Sequence, residues 1–424
     1  MSAKIRLPQA ASTLADAYNA LDPDALCQGS DLEHFYVTRP GKRTTRLGVA
    51  LHQSKDHAKF LFIGHRGGGK STELQALSSK LIDAFRVFDV PIYSVFQSGS
   101  LSYEEFLFAV YTRVAAQAIK EKLVGHGIAK KVWDDHLVAA TRRLHTLLFG
   151  PSATLDLDVS ATATVSAWFL EIETKVGTDA SLRERLQGHA SELLEALNRL
   201  LAEVKEADRK LRVLLVVEDL DKFDLTSSAS LFYEHAQTLL GIHAHAIYTF
   251  PVAMRFDDRF QGVKQAFDPF FLANVPTSHR DGKPDEDGRA FLGSVLTKRI
   301  HAALLEEGVL DYLVMRGGVV RDVIKLARNA ALNALGDGSA KISLAHAEES
   351  FRDAVRERQS LLRAEDYKLL RDAIGQPVVN SEQYQRLLFN GSLLEYENTV
   401  GNWWSPSPDA RHLLDASPAA DSGA

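Results

Sequence analysis

The sequence predicts an α/β protein built on a parallel sheet that helices cover on both faces, with a helical C-terminal part. Three observations carry the prediction. Short unbroken apolar runs, among them KFLFI at 59–63 and VLLVV at 213–217, alternate with segments of helical spacing, the pattern of strands buried on both faces. The first run strikes the glycine cluster GHRGGGKST before leucines resume at helical intervals, and the second ends in the consecutive acids Glu218 and Asp219. With 424 residues, 45% of them hydrophobic, the chain is long enough to bury more than one core.

Taken in order, residues 1–34 read as a helical segment. Lys59–Ile63 is the first strand, and Leu74, Leu77, Leu81 and Phe85 mark one face of the helix after it. A second strand falls within VFDVPIYSVF (87–96), and a helix follows through Tyr103–Ile119. The stretch from about 120 to 209 interrupts this rhythm. Its TLDLDVSATATVSAWFLEIET (154–174) alternates like a hairpin, and an amphipathic helix striped by Leu182, Leu186, Leu193, Leu197, Leu200 and Val204 closes it. The strand at 213–217, another over His245–Val252 and a fifth near Phe270–Pro276 complete the core, expected to span 35–280. Residues 281–345 are helical. Residues 346–404 end in a helix, EQYQRLLF, and a hairpin whose turn carries Asn398 and Gly401. The Pro-, Ser-, Ala- and Asp-rich tail 405–424 is expected to be disordered.

Gly64, Gly69, Lys70 and Ser71 satisfy G-x-x-x-x-G-K-[ST]. Glycines, here Gly64, Gly67, Gly68 and Gly69, let backbone N–H groups curl around phosphate oxygens, and the following helix start adds partial positive charge. Lys70 would neutralise β- and γ-phosphates, the Ser71 hydroxyl would ligate Mg2+, and Thr72 completes the loop. The plainer reading is a structural glycine turn. The flanking strand and helix favour the phosphate reading, and the nucleotide is expected to be ATP, since no Asn-Lys-x-Asp sequence supports guanine.

A hydrolysing site also needs acids at the end of a neighbouring strand. By analogy with a Walker B motif, Glu218 takes the metal side and Asp219 polarises the attacking water. Asp221 and Asp224 read as solvated or helix-capping acids. Thr249 ends the next strand, where its hydroxyl could contact the γ-phosphate, although β-branched residues suit strands in any case. Arg321 opens a helix after a glycine pair, where it could grip the same phosphate bidentately.

Together GHRGGGKST, LLVVEDLDKF, YTFP and GGVVRDVIKLAR resemble the AAA+ and STAND-like ATPases of the additional-strand class, over about residues 35–335. The resemblance implies a sheet of order 5-1-4-3-2, a helical lid with ATP and Mg2+ in the cleft beneath it, and a winged-helix-like domain after the lid. It gives Thr249 and Arg321 the two sensor roles. The order Glu then Asp, where relatives carry Asp then Glu or Asp-Asp, leads us to expect slow hydrolysis. Arg255 and Arg259 are the candidates for an arginine finger acting on a neighbouring subunit, against the plainer reading of surface arginines.

Composition narrows the partners. A net charge of −6 disfavours a chain that coats nucleic acid or an anionic membrane. From Arg352 to Trp404 the charges nearly balance, so DNA is a possible but not favoured partner. A homo-oligomer or an effector protein is expected instead, in a signalling or defence setting. The single cysteine, Cys27, allows no intrachain disulfide, and the absence of a membrane-length apolar run points to a cytoplasmic protein. The pair His243 and His245 would share one strand face but lacks a third metal ligand nearby. Trp403 and Trp404 read as packing anchors of the hairpin.

Overall fold

The computed structural model describes residues 10–25, 29–41, 43–96, 99–121, 142–150, 174–374, 380–397 and 401–416, with 123, 139, 171 and 172. Five strands, β1 (Lys59–Gly64), β2 (Phe85–Pro91), β3 (Arg212–Glu218), β4 (His245–Pro251) and β5 (Asp268–Leu272), form one sheet in the order β2-β3-β4-β1-β5. All neighbours run parallel. Read from the other edge, this is the expected 5-1-4-3-2.

The central strands β1, β3 and β4 are mostly apolar because both faces are covered, while the edge strands β2 and β5 carry exposed Asp89 and Asp268. Phe60 and Phe62 of β1 pack with Leu214, Val216 and Ile247 against Leu74 and Leu77 of the helix Lys70–Leu81. Leu61 and Ile63 turn the other way, into a core shared with the helices Tyr103–Lys120 and Ala190–Ala207. Alternate side chains of one strand thus serve two cores, as the period of two requires. Ser102 and Glu105 close a capping box at the start of the helix Tyr103–Lys120.

Local boundaries differ from expectation in three places. Phe85 opens β2 rather than closing the preceding helix, and Ile92–Ser94 leave the strand as a 3-10 turn after Pro91. The leucine stripe of 182–204 belongs to two helices, Ala180–Leu186 and Ala190–Ala207, parted where Gly188 takes a left-handed φ of 81°. His243 precedes β4 and stacks on His57 at 5.3 Å, so it shares no strand face with the buried His245. The alternating stretch 154–170 lies outside the described residues, as do Cys27 and Asn398.

After β5 come the helices Glu286–Thr297, Val309–Arg316, Val320–Gly336 and Leu344–Leu361, the last of which crosses the boundary expected at 345/346 because its Ala347 and Phe351 pack into the same core as the other three. They enclose a separate core, which the N-terminal helix Leu14–Ala20 completes by setting Ala17 against the alanines of Val320–Gly336. The C-terminal unit holds helices Ala364–Asp372 and Glu382–Phe389, the antiparallel hairpin β6 (Leu393–Glu397) and β7 (Asn402–Pro406), and a last helix. That helix, Pro408–Ala416, corrects the expectation of disorder from 405 onward. Its Ala410 and Leu414 are buried and its Asp409 pairs with Arg358 at 3.0 Å, contacts that composition alone does not register. Trp403 stacks on Tyr396 at 4.5 Å and Trp404 meets Phe256 edge-on, both as packing anchors.

Candidate functional site

The glycine loop joins β1 to the helix Lys70–Leu81 at the C-terminal edge of the sheet, next to the ends of β3 and β4. Two glycines are required by geometry. Gly69 caps the helix with φ 92°, and Gly67 has φ 75°. A Cβ on Gly67 would also lie 2.8 Å from the Arg321 Cβ, a clash no side chain escapes. The Arg321 N–H donates to the Gly67 carbonyl at 3.0 Å. The lid helix Val320–Gly336 therefore starts directly on the loop, which the sequence distance between Gly67 and Arg321 conceals.

Lys70 is buried, and its ammonium donates to the carbonyls of Gly64 and His65 at 2.8 Å each. Its third partner is Asp221 Oδ2, also at 2.8 Å. This corrects the reading of Asp221 as a solvated or capping acid. The chain turns tightly after β3 and carries Asp221 back under the loop, where it is only 5% exposed. Burial there works to raise its pKa, but Lys70 and Arg66 outweigh it and hold the carboxyl below its ordinary value. Asp224 does cap a helix, accepting from the Ser227 N–H at 2.7 Å.

Glu218 ends β3 with its carboxylate buried. Desolvation pushes its pKa up to about 7, with Ser71 and Gln75 opposing as hydrogen-bond donors and Asp219 and Asp89 adding like charge. Its Oε2 has no partner among the described residues. A buried carboxylate oxygen left free beside the Ser71 hydroxyl is the donor set a hard, oxygen-seeking cation such as Mg2+ takes, so the residues fit that ion. Asp219 holds a left-handed backbone (φ 73°), and its carboxylate pairs with Lys222 at 2.8 Å. Buried Thr249 accepts from the Leu220 N–H at 3.1 Å, tying β4 to the turn that follows β3. Gly68 and Thr72 take their places in the loop and the first helical turn.

The fold is that of a P-loop NTPase core. No protein-family model and no curated protein matches the chain. Among solved structures it is similar to Cdc6p from Pyrobaculum aerophilum, at 12% identity over 94% of this chain and 96% of that one, with a TM-score of 0.40. It is also similar to the Aeropyrum pernix Orc1 protein in complex with DNA, at 14% identity over 95% and 96%, with a TM-score of 0.44. The Thermotoga maritima RuvB Holliday junction branch migration motor follows at 11% identity over 88% and 92%, with a TM-score of 0.34. At such distances the site has to be read from this chain's own residues.

Several P-loop contacts escaped the sequence. Arg39 donates to the carbonyls of Gly68 at 2.7 Å and Ala273 at 3.0 Å, and burial lowers its pKa to about 10. No spacing marks it, since a lone arginine before a proline carries no pattern. His65 and Arg66 face the C-terminal unit, through Glu395 and Phe389. Arg255, a candidate finger, instead donates to the fully buried Glu395 at 2.6 Å. Its guanidinium is spent inside its own chain because a buried carboxylate demands a counterion. Arg259 stays half-exposed, paired with Asp257 at 2.7 Å.

Proposed function

We propose that this chain is an ATP-binding, slowly hydrolysing switch whose nucleotide state sets the position of its lid and C-terminal unit. It would act through a homo-oligomer or an effector protein, as in signalling or defence systems. The observation that supports this reading is that Lys70, Ser71 with Glu218, and the backbone of Arg321 meet at one loop at the C-terminal edge of the sheet, with Thr249 holding the turn after β3 beside it.

In this reading the loop N–H groups of Gly67, Gly68 and Gly69 cradle the phosphates, and Lys70 leaves Asp221 to neutralise them. Bound Mg2+ would screen the phosphate charge, held through Ser71 and Glu218. Asp219 orients the attacking water once released from Lys222, and Thr249 and Arg321 sense the γ-phosphate. Two acids already engaged with lysines, Asp219 and Asp221, favour slow turnover over a fast motor. DNA is the less favoured partner: Arg386, the basic residue of SEQYQRLLF, is paired internally with Asp366. Among the described residues no helix is long and apolar enough to cross a membrane.

Light scattering after size exclusion, with and without a non-hydrolysable ATP analogue and Mg2+, tests the switch. A nucleotide-dependent change in assembly is the expected result. An unchanged particle that binds no analogue would overturn the reading. A turnover rate that rises with added DNA and collapses with salt would place the chain with DNA-associated ATPases instead.

A further inference from the structure

The P-loop is built against the far end of the chain. His65 is 2% exposed, and its Nε2 accepts the Glu395 N–H at 2.9 Å, across 330 positions of sequence. Burial, with Lys70 and Arg255 nearby, pushes its pKa down to about 3, so the ring is neutral; with Nε2 accepting, its proton sits on Nδ1, which has no hydrogen-bond partner among the described residues. Arg66, the next loop residue, lies 4.6 Å over the Phe389 ring.

Glu395 in turn has every polar group engaged. Its carbonyl accepts from both the N–H and the side-chain amide of Asn274, at 3.3 and 3.2 Å. Its carboxylate accepts from Arg255 at 2.6 Å and from Asn402 at 2.6 Å. Asn274 closes the circle, its Oδ1 lying 3.3 Å from where a Cβ of Gly68 would stand. Buried polar groups this fully satisfied fix one geometry, and loosening any of them leaves a costly orphan.

One residue spans both ends of this connection. The His65 carbonyl holds Lys70 at 2.8 Å, while the His65 ring holds β6. The His65 carbonyl also accepts the Gly68 N–H at 3.1 Å, so when Lys70 leaves it for a phosphate the backbone carrying the ring loses one of the two hydrogen bonds that hold that carbonyl. We propose that Glu395 is a positioning residue for the P-loop, so that the C-terminal hairpin sets the loop's geometry and registers phosphate arrival directly through His65. The nucleotide-dependent half of this proposal rests on the ATP-switch reading above; the positioning half does not.

Hydrogen exchange on the full chain separates the two. In nucleotide-free protein, Glu395→Ala should raise exchange in peptides covering 64–72 at least fivefold, while Asn402→Ala, which removes one contact of the hairpin alone, should raise it less. Unchanged exchange in 64–72 would overturn the proposal. With the ATP analogue and Mg2+, wild-type peptides covering 384–397 should change their exchange, and His65→Ala should abolish that response while retaining measurable binding of a fluorescent ATP analogue. A response that survives in His65→Ala would overturn the direct route. Should the wild type bind no nucleotide, the switch reading fails while the nucleotide-free arm still decides the positioning role. If Glu395→Ala does not fold, Glu395→Gln, which keeps the shape but removes the charge facing Arg255 and sets an NH2 that cannot accept against Arg255 or Asn402, serves the same comparison.

Discussion

Lys70 and Asp221 form a buried ion pair at 2.8 Å beside the glycine loop that follows β1. The lysine's ammonium is thereby held by a carboxylate oxygen and two carbonyl oxygens, the kind of ligand a phosphate would present.

Breaking the pair from the acid side leaves a buried cation short of a partner, a loss of about 3 kcal/mol in such pairs. Asp221→Asn should therefore lower the melting temperature of the nucleotide-free protein and enlarge the upward shift produced by ATP, because phosphate no longer competes with a carboxylate. Equal ATP shifts in variant and wild type, read by differential scanning fluorimetry, would show that the two do not compete.

Lys70→Ala should abolish ATP binding or turnover. Normal affinity and normal phosphate release in that variant would sink the assignment of the loop.

Asp219 needs a residue that tolerates left-handed backbone, and Asn does so better than Ala. Asp219→Asn should bind ATP within about twofold of wild type and lose about 100-fold in turnover, the usual scale for a group that positions or deprotonates water. If Glu218→Gln alone has that effect, the two acids have exchanged roles.

Glu218 titrates near neutrality because it is desolvated. Its folded-state pKa of about 7 exceeds the ordinary 4.5, so the folded state holds the proton more tightly and stability falls as pH rises between those values. Glu218→Gln should thus melt higher than wild type by about 3 °C at pH 8 and by little at pH 5. Metal-dependent nucleotide binding by the wild type should weaken as pH falls below about 7, which titration with Mg2+ at pH 6 and 8 would read.

Arg255→Ala should destabilise the protein with or without an assembled partner, because it uncovers the buried carboxylate of Glu395. A fully stable variant that loses turnover only in the assembled state would restore the finger role.

The sheet and the glycine loop between its first strand and helix were legible in the sequence because their determinants are local. An apolar strand needs neighbours on both faces whatever they are, and a glycine cluster between strand and helix marks a tight turn, although only the structure shows that Gly67 and Gly69, and not Gly64 or Gly68, take left-handed backbone. The pairing of Ser71 with Glu218 could be anticipated for the same reason: each ends or begins an element at the same edge of the sheet. Asp221 and Asp224 show where this stops. Three residues apart, one caps a helix and the other is drawn under Lys70, and only the path of the chain after β3 separates them. Arg39, His65, Arg255 and Glu395 belong wholly to the tertiary structure, since their partners lie up to 330 positions away and hydrogen bonds between distant segments leave no periodicity in the chain. Sequence alone settled the fold of the core; packing decided which charges face the loop, which are spent inside the chain, and that the C-terminal hairpin is part of the loop's own surroundings.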